Sequence, residues 1–274
     1  MTIPITWVDA FSDVAFAGNP AAVCVLETPL DDARMQSIAF ELGIAETAFV
    51  TPTGDPAVFG LRWFTPTVEV DLCGHATLAA AHALRAGAIV DGTDALTFDT
   101  RSGALSASFD GDLVALDFPA DPVRPSPLPE ALAGQWDGAV VETGHTPFFD
   151  FVVLSSADAV RNYEPDLATI AATGANALLL TAAGDVGAVR AVRVGRADYV
   201  LRVFGPYVGI PEDPATGSAQ CSAGPDWSQA LGRDGDTLVA RQLSPRGAVL
   251  YVRAAGERVA IAGHATTVFT GHLC

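Results

Sequence analysis

The sequence predicts a mixed α/β (α+β) protein made of two pseudo-symmetric halves, each a β-rich, barrel-like sheet around one buried central helix. Three observations carry this reading. Arg62-Trp-Phe64-Thr-Pro66, leading to Cys73-Gly74-His75-Ala76-Thr77, is matched by Arg202-Val-Phe204-Gly-Pro206, leading to Asp213-Pro-Ala-Thr216-Gly217-Ser218. The elements flanking each copy follow in the same order, as an internal duplication requires. Between them run short apolar segments punctuated by Gly and Pro, the signature of strands and turns.

In the first half, residues 4–10 and 21–27 read as strands joined by a turn at Ala17-Gly18-Asn19-Pro20. Asp31 or Asp32 caps a helix running to Leu42, with Met35, Ile38, Ala39 and Leu42 on one face and Gly43 as its stop. Strands follow from Glu46 to Thr51 and over 58–64. Thr77 to Arg85 is apolar nearly all round, as in a helix buried on every side. Strands come next near 95–99, 104–109 and 113–117, and the proline-dense stretch Asp117 to Pro129 marks a domain boundary. The second half restarts: Val141 to Pro147 leads to a strand at 148–154, a helix at 165–173 stops at Gly174, and a strand at 177–181 follows. The expected division is residues 1–117 and 118–262, with 263–274 a C-terminal strand returning to the first lobe.

Composition narrows the function. A formal charge of −17 argues against nucleic acid and anionic membrane as partners. All fifteen basic residues are arginine, so Schiff-base and pyridoxal chemistry, which need a lysine amine, are excluded. Cys24, Cys73, Cys221 and Cys274 show no CxxC spacing, which suits free thiols in a reducing cytosol. No basic-then-apolar leader and no apolar run of ~20 residues is read, so a cytoplasmic location is expected. His82 and His145 stand alone, Gly263-His264-Ala265-Thr266 sits between C-terminal strands as a chance echo of Gly74 to Thr77, and no metal-ligand spacing is present. GxGxxG and GxxxxGK are absent, so neither dinucleotide nor P-loop binding is indicated. Neither a metal nor another cofactor is expected.

A helix start leaves its first N–H groups unpartnered and carries the positive end of the dipole. Two such starts aimed at one cleft would hold a small carboxylate. Glu46 has no acidic counterpart in the second half, where Ala177 or its neighbour stands. Its neighbours Ile44, Ala45, Ala48 and Phe49 would disfavour the charged form and lift its pKa, as suits a base that must return its proton. An exposed strand-end glutamate is the plain alternative. His75 reads either as a capping or core histidine or as a hydrogen-bonding partner of the substrate. Asp213 with Ser218 reads as an N-cap, a carboxylate-binding turn, or both. Cys73 reads as a small buried apolar residue, since the matching turn of the second half offers Asp213-Pro214 and no thiol, and Cys221 comes too late.

Val8-Asp9-Ala10-Phe11 with Gly18-Asn19-Pro20, Glu41-Leu-Gly-Ile-Ala-Glu46-Thr47, Cys73-Gly74-His75-Ala76-Thr77, Glu212-Asp213-Pro-Ala-Thr216-Gly217-Ser218-Ala219 and Arg241-Gln-Leu-Ser-Pro-Arg246-Gly247 occur in an order that resembles the PhzF (phenazine-biosynthesis-like) family over nearly the whole chain. The resemblance implies the fold shared with diaminopimelate epimerase, a homodimer, and a cofactor-independent isomerase acting on a small carboxylated substrate held between two lobes. The best-understood member isomerises a dihydro-hydroxyanthranilate. By the same resemblance Glu46 is the proton-shuttling acid/base, with His75, Asp213 and Ser218 orienting the substrate in its pocket. Asn19, Gly74, Ala76, Thr216 and Gly217 belong to the substrate-binding segments. Gly43-Ile44-Ala45 departs from the polar Asn-x-Ser that often precedes the glutamate. An amino-acid racemase or epimerase using Cys73 is the alternative enzyme, and a non-catalytic acid-binding protein the alternative outside enzymes.

Overall fold

The computed structural model describes residues 2–90, 95–136, 138–184 and 196–274. They form two compact units, Met1–Asp117 with Ala262–Cys274, and Phe118–Ile261. The first half of the chain runs β1 (Ile3–Ala10), β2 (Asn19–Val25), α1 (Asp32–Leu42), β3 (Glu46–Pro52), β4 (Val58–Phe64), β5 (Glu69–Val70), α2 (Gly74–Ala86), β6 (Ala95–Thr100), β7 (Gly103–Asp110) and β8 (Leu113–Pro119). Then come β9 (Arg124–Pro125), β10 (Val140–His145), β11 (Phe149–Leu154), α3 (Ala157–Arg161), α4 (Leu167–Ala172), β12 (Ala177–Ala183), β13 (Tyr199–Gly205), β14 (Ile210–Asp213), α5 (Gly217–Ala230), β15 (Thr237–Gln242), β16 (Ala248–Ala255) and β17 (Arg258–Gly263). The last strand, β18 (Ala265–Leu273), pairs antiparallel with β1, Leu273 opposite Ile3, and so belongs to the first unit. No helix among the described residues is long and apolar enough to cross a membrane.

The two units share one pairing pattern. In the first unit β1/β2 is antiparallel, β2/β3 parallel, β3/β4 antiparallel, β4/β6 parallel and β6/β7 antiparallel. In the second, β10/β11, β11/β12, β12/β13, β13/β15 and β15/β16 repeat those senses in order. Parallel neighbours need a crossover. The first crossover of each unit is α1 or the α3–α4 pair, and the second is the short hairpin plus helix α2 or α5. Register makes the correspondence residue-specific. Thr47 faces Phe64 as Leu178 faces Phe204, so the counterpart of Glu46 is Ala177.

Local chemistry explains the helices. Asp31 caps α1 by accepting from the Arg34 N–H, and Gly43, at φ 62°, closes it with its own N–H on the Ala39 carbonyl. Met35, Ile38 and Ala39 pack with Ile5, Cys24, Phe49 and Phe64 into one core cluster, while Leu42 lies partly buried at its edge. In α2 residues from His75 to Leu84 are buried save His82, because alanine at 79, 80, 81 and 83 lets strands approach from several sides. Helix α5 carries Pro225 in its interior, which cannot donate to the carbonyl four residues back. That carbonyl, on Cys221, instead accepts the Asp121 N–H at 2.9 Å. Beside it, a Cβ on Gly224 would stand 2.6 Å from Val252 Cγ1. Gly224→Ala is therefore expected to lower stability by about 1–3 kcal/mol through overpacking, and Val252→Ala in the same chain to restore part of it. Denaturant titration of the two variants checks this.

Asp226, one residue past that proline, is pushed up to about 6, first by burial and then by the charge of Glu142. A carboxyl whose folded pKa is raised favours the native state only while protonated. That contribution is complete below about pH 4 and disappears as pH rises through about 6. Asp226→Asn is accordingly expected to add about 1 kcal/mol at pH 7.5, with partial solvent screening included, and nothing at pH 4. Thermal unfolding across that range measures it.

Candidate active site

Glu46 is the first residue of β3, placed by the parallel register beside Ala21, two residues past the fully buried Asn19. Its side chain keeps 14% exposure, and its Oε2 atom is buried. His75 is the second residue of α2, a helix packed on β1, β2 and β3. Its Nε2 lies 3.1 Å from Glu46 Oε2. Apart from this contact, Oε2 has no hydrogen-bond partner among the described residues. On the other side of the ring, Nδ1 lies 3.5 Å from Cys73 Sγ. Gly74 and Ala76 flank the imidazole in the first turn, Gly74 half-buried and Ala76 fully buried.

Charge within this cluster has a definite direction. Burial pushes the Cys73 thiol up, and the facing Glu46 carboxylate pushes it further, outweighing His75. Cys73 is thus a neutral thiol at neutral pH. Burial alone would lower the His75 pKa, but the adjoining Cys73 sulfur and Glu46 carboxylate act against it and raise it above its ordinary value. With Cys73 protonated, the charge that matters is that of Glu46. Cys73 is buried as the sequence implies, yet it is not merely apolar filling: it touches the imidazole. Ligand-type atoms of Glu46, Cys73 and His75 lie within 4.8 Å of one another, a donor set that linear spacing hides because Glu46 comes from another strand. Cation binding there would require loss of the Cys73 proton, which its surroundings oppose.

The second unit gathers Asp213, Thr216, Gly217 and Ser218 in one turn. Asp213 ends β14, half-buried, and its Oδ2 accepts from Thr216 Oγ1 at 2.6 Å. Thr216, not Asp213 or Ser218, is the N-cap of α5, and Ser218 is exposed in its first turn. Asp31, Ser156 and Asp166 each cap α1, α3 and α4 through the side chain, whereas Cys73 and Thr216 make no side-chain cap bond to α2 and α5. The helices that follow the duplicated turn are therefore those whose first-turn amides lack a side-chain cap, which leaves an acceptor's place at each.

Alignment of the two turns on their first helical glycines corrects the sequence-based match. Thr216 holds in the second unit the position of Cys73, and Ser218 that of His75, with Asp213 opposite Val70. The second turn still offers no thiol.

The repeated arginine has a role that sequence reasoning missed. Arg62 Nε and Nη2 donate to the two oxygens of Glu69 at 2.7 Å each, and Arg202 Nε and Nη2 donate to those of Glu212 at 2.7 and 3.0 Å. Each guanidinium also lies over the phenylalanine two residues on, 5.2 Å from the Phe64 ring centre and 4.8 Å from that of Phe204. Both forks tie the strand to the short segment that delivers the helix start. The signal was available: Glu69 and Glu212 each stand five residues before Gly74 and Gly217. A cleft of about 530 Å³ elsewhere in the first unit is lined by Met35, Phe49, Arg62 and Arg101 among others, but by no member of the Glu46 cluster.

The family model described as "Phenazine biosynthesis-like protein" matches residues 8–271. An uncharacterized isomerase of Pseudomonas aeruginosa is 42% identical, covering 100% of this chain and 99% of its own. The crystal structure of a phenazine biosynthesis protein of the PhzF family from Enterococcus faecalis superposes with a TM-score of 0.91 at 36% identity, covering 100% of both chains. A hydroxyproline epimerase from Agrobacterium vitis shares the fold at a TM-score of 0.61 and 13% identity, over 99% of this chain and 92% of that one. A match that runs almost from end to end, in sequence and in backbone alike, decides the question of kinship: the chain belongs to the phenazine biosynthesis-like family.

Proposed function

We propose that the protein is a cofactor-independent isomerase that moves a proton within a small carboxylic acid, with Glu46 as the proton carrier. The observation that carries this is the buried Glu46 Oε2, 3.1 Å from the buried His75 imidazole at the uncapped start of a buried helix. Glu46 takes a proton from one carbon of the substrate and returns it at another position, so atoms and charge balance without any co-reactant. His75 donates a hydrogen bond to the negative charge that develops in between, a stabilisation worth most where water is excluded. The first-turn amides of α2 offer donors to the substrate carboxylate, and the family resemblance assigns Asp213 and Ser218 to orienting its polar groups. The isomerase name of the Pseudomonas relative supports the reaction class.

The deciding experiment incubates the protein with a panel of small carboxylic acids in heavy water and reads deuterium incorporation at carbon. Incorporation into at least one acid is the expected result; none with any acid would sink the reading. The proposed assembly is a homodimer, for which sedimentation should give twice the chain mass of 28.3 kDa.

One observation favours a second reading, an epimerase that uses Cys73 as a base, namely its contact with His75 Nδ1. The upward push on its ionisation and the threonine at the matching position of the second unit weigh against it.

A further inference from the structure

The turn that carries Asp213 is not held by its own residues alone. Gln242, the last residue of β15, is buried at 1% exposure, and its amide is fully committed to that turn. Nε2 donates to the Asp213 carbonyl at 2.7 Å and to Thr216 Oγ1 at 2.9 Å, and Oε1 accepts the Thr216 N–H at 2.8 Å. Thr216 Oγ1 in turn donates to Asp213 Oδ2 at 2.6 Å, so the chain of bonds leads from Gln242 to the carboxylate itself. Ser244 Oγ adds a bond to the Pro214 carbonyl at 2.7 Å. The first unit carries the counterpart of that last bond, Ser102 Oγ on the Asp71 carbonyl at 2.6 Å, just ahead of Cys73 and His75.

We infer that Gln242 is a positioning residue that fixes the Asp213 carboxylate and the first turn of α5 through Thr216, with Ser244 bracing the same turn. A glutamine is suited to this because one planar group supplies both donors and the acceptor the turn lacks. The Gln242 amide oxygen and nitrogen and the Thr216 hydroxyl all have partners, which is the condition for a buried network to hold one geometry. Ordinary chain connectivity does not supply that: residues 213 to 216 lie between a strand end and a helix start, with Gly217 immediately following. The inference rests on the proposed function only in assigning Asp213 to the substrate.

The test compares Gln242→Met, which removes all three bonds, with Gln242→Glu, which keeps the shape and the acceptor but donates only when protonated. Thr181→Val is the control, because it deletes buried hydrogen bonds to Val200 and Trp227 elsewhere in the same unit. Gln242→Met is expected to lower kcat for deuterium exchange about 10- to 100-fold at every pH, since small misplacements of orienting groups cost that much. The activity of Gln242→Glu relative to the parent is expected to rise as pH is lowered, a signature that loss of packing would not give. The control should lose comparable thermal stability and keep its kcat. Gln242→Met behaving like the control, or a Gln242→Glu to parent activity ratio that does not rise at low pH, overturns the inference. Should the parent protein exchange no acid at all, the proposed function falls, and hydrogen exchange of the Thr216 amide decides the clamp by itself. At least tenfold faster exchange in Gln242→Met than in Thr181→Val supports it, and equal rates overturn it.

Discussion

Glu46→Gln is expected to reduce solvent deuterium incorporation by about 10³-fold or more, while Cys73→Ala stays within about tenfold of the parent. Glutamine preserves the volume and one acceptor beside His75 but can neither take nor return a proton. The 3.1 Å approach to Nε2 therefore survives in shape and loses its chemistry. Cys73 stands on the other nitrogen at 3.5 Å, and its thiol is held protonated by burial and by Glu46. Its removal costs a contact with the ring and leaves the proton carrier in place. The opposite outcome, a dead Cys73→Ala and an active Glu46→Gln, would transfer the role of base to the thiol. Comparing the two variants on one exchanging acid settles the matter, with circular dichroism confirming that both fold.

The element order was legible because local chemistry and tertiary structure agree over most of the chain. Asp31, the face of Met35, Ile38 and Ala39, and Gly43 specify α1 from caps and periodicity, and the structure keeps all of them. The lack of polar faces around Thr77 to Leu84 marked α2 as a central helix before any coordinates. The candidate site was legible only in part. Glu46, His75, Asp213 and Ser218 stood out by motif, and the missing acidic partner of Glu46 could be guessed from the repeat, although register was needed to fix it on Ala177. The contact of Cys73 with His75 escaped, since residue type and burial say nothing of which ring a sulfur touches. The cap of α5 was misplaced for a related reason. Asp, Thr and Ser within six residues all suit an N-cap by propensity, and only the start of the helix at Gly217 selects Thr216 among them. Gln242 was invisible as anything but part of a similar segment, because what it holds lies 26 residues earlier in the chain.

The duplicated arginine forks supply a contrast within one molecule. Glu212→Gln is expected to destabilise the protein by about 3–5 kcal/mol, and Glu69→Gln by no more than about 1 kcal/mol. Arg202 and Glu212 have side chains only 10% and 16% exposed, and Arg202 Nη1 donates to the carbonyls of Val160, Arg161 and Tyr163. Neutralising Glu212 leaves a nearly buried cation facing carbonyls that cannot balance its charge. Glu69 is itself only 11% exposed, but its arginine partners are not buried: Arg62 is 30% exposed and also bonds Asp32, itself 74% exposed, and Arg101, 53% exposed, reaches Glu69 from the solvent side. There the loss of one carboxylate charge is met by a neighbour and by solvent. The same chemical change at corresponding positions should therefore give unequal shifts in urea midpoint, large in the second unit and small in the first. Equal shifts would mean that burial does not set the worth of these pairs. The double replacement Arg202→Met with Glu212→Leu sharpens the point. Removing both charges together should recover a good part of what Glu212→Gln loses, because the cost lies in the stranded guanidinium more than in the vanished bond. Activity should nonetheless stay low in that variant, since the segment from Glu212 to Thr216 would keep its packing and lose the fork that aims it.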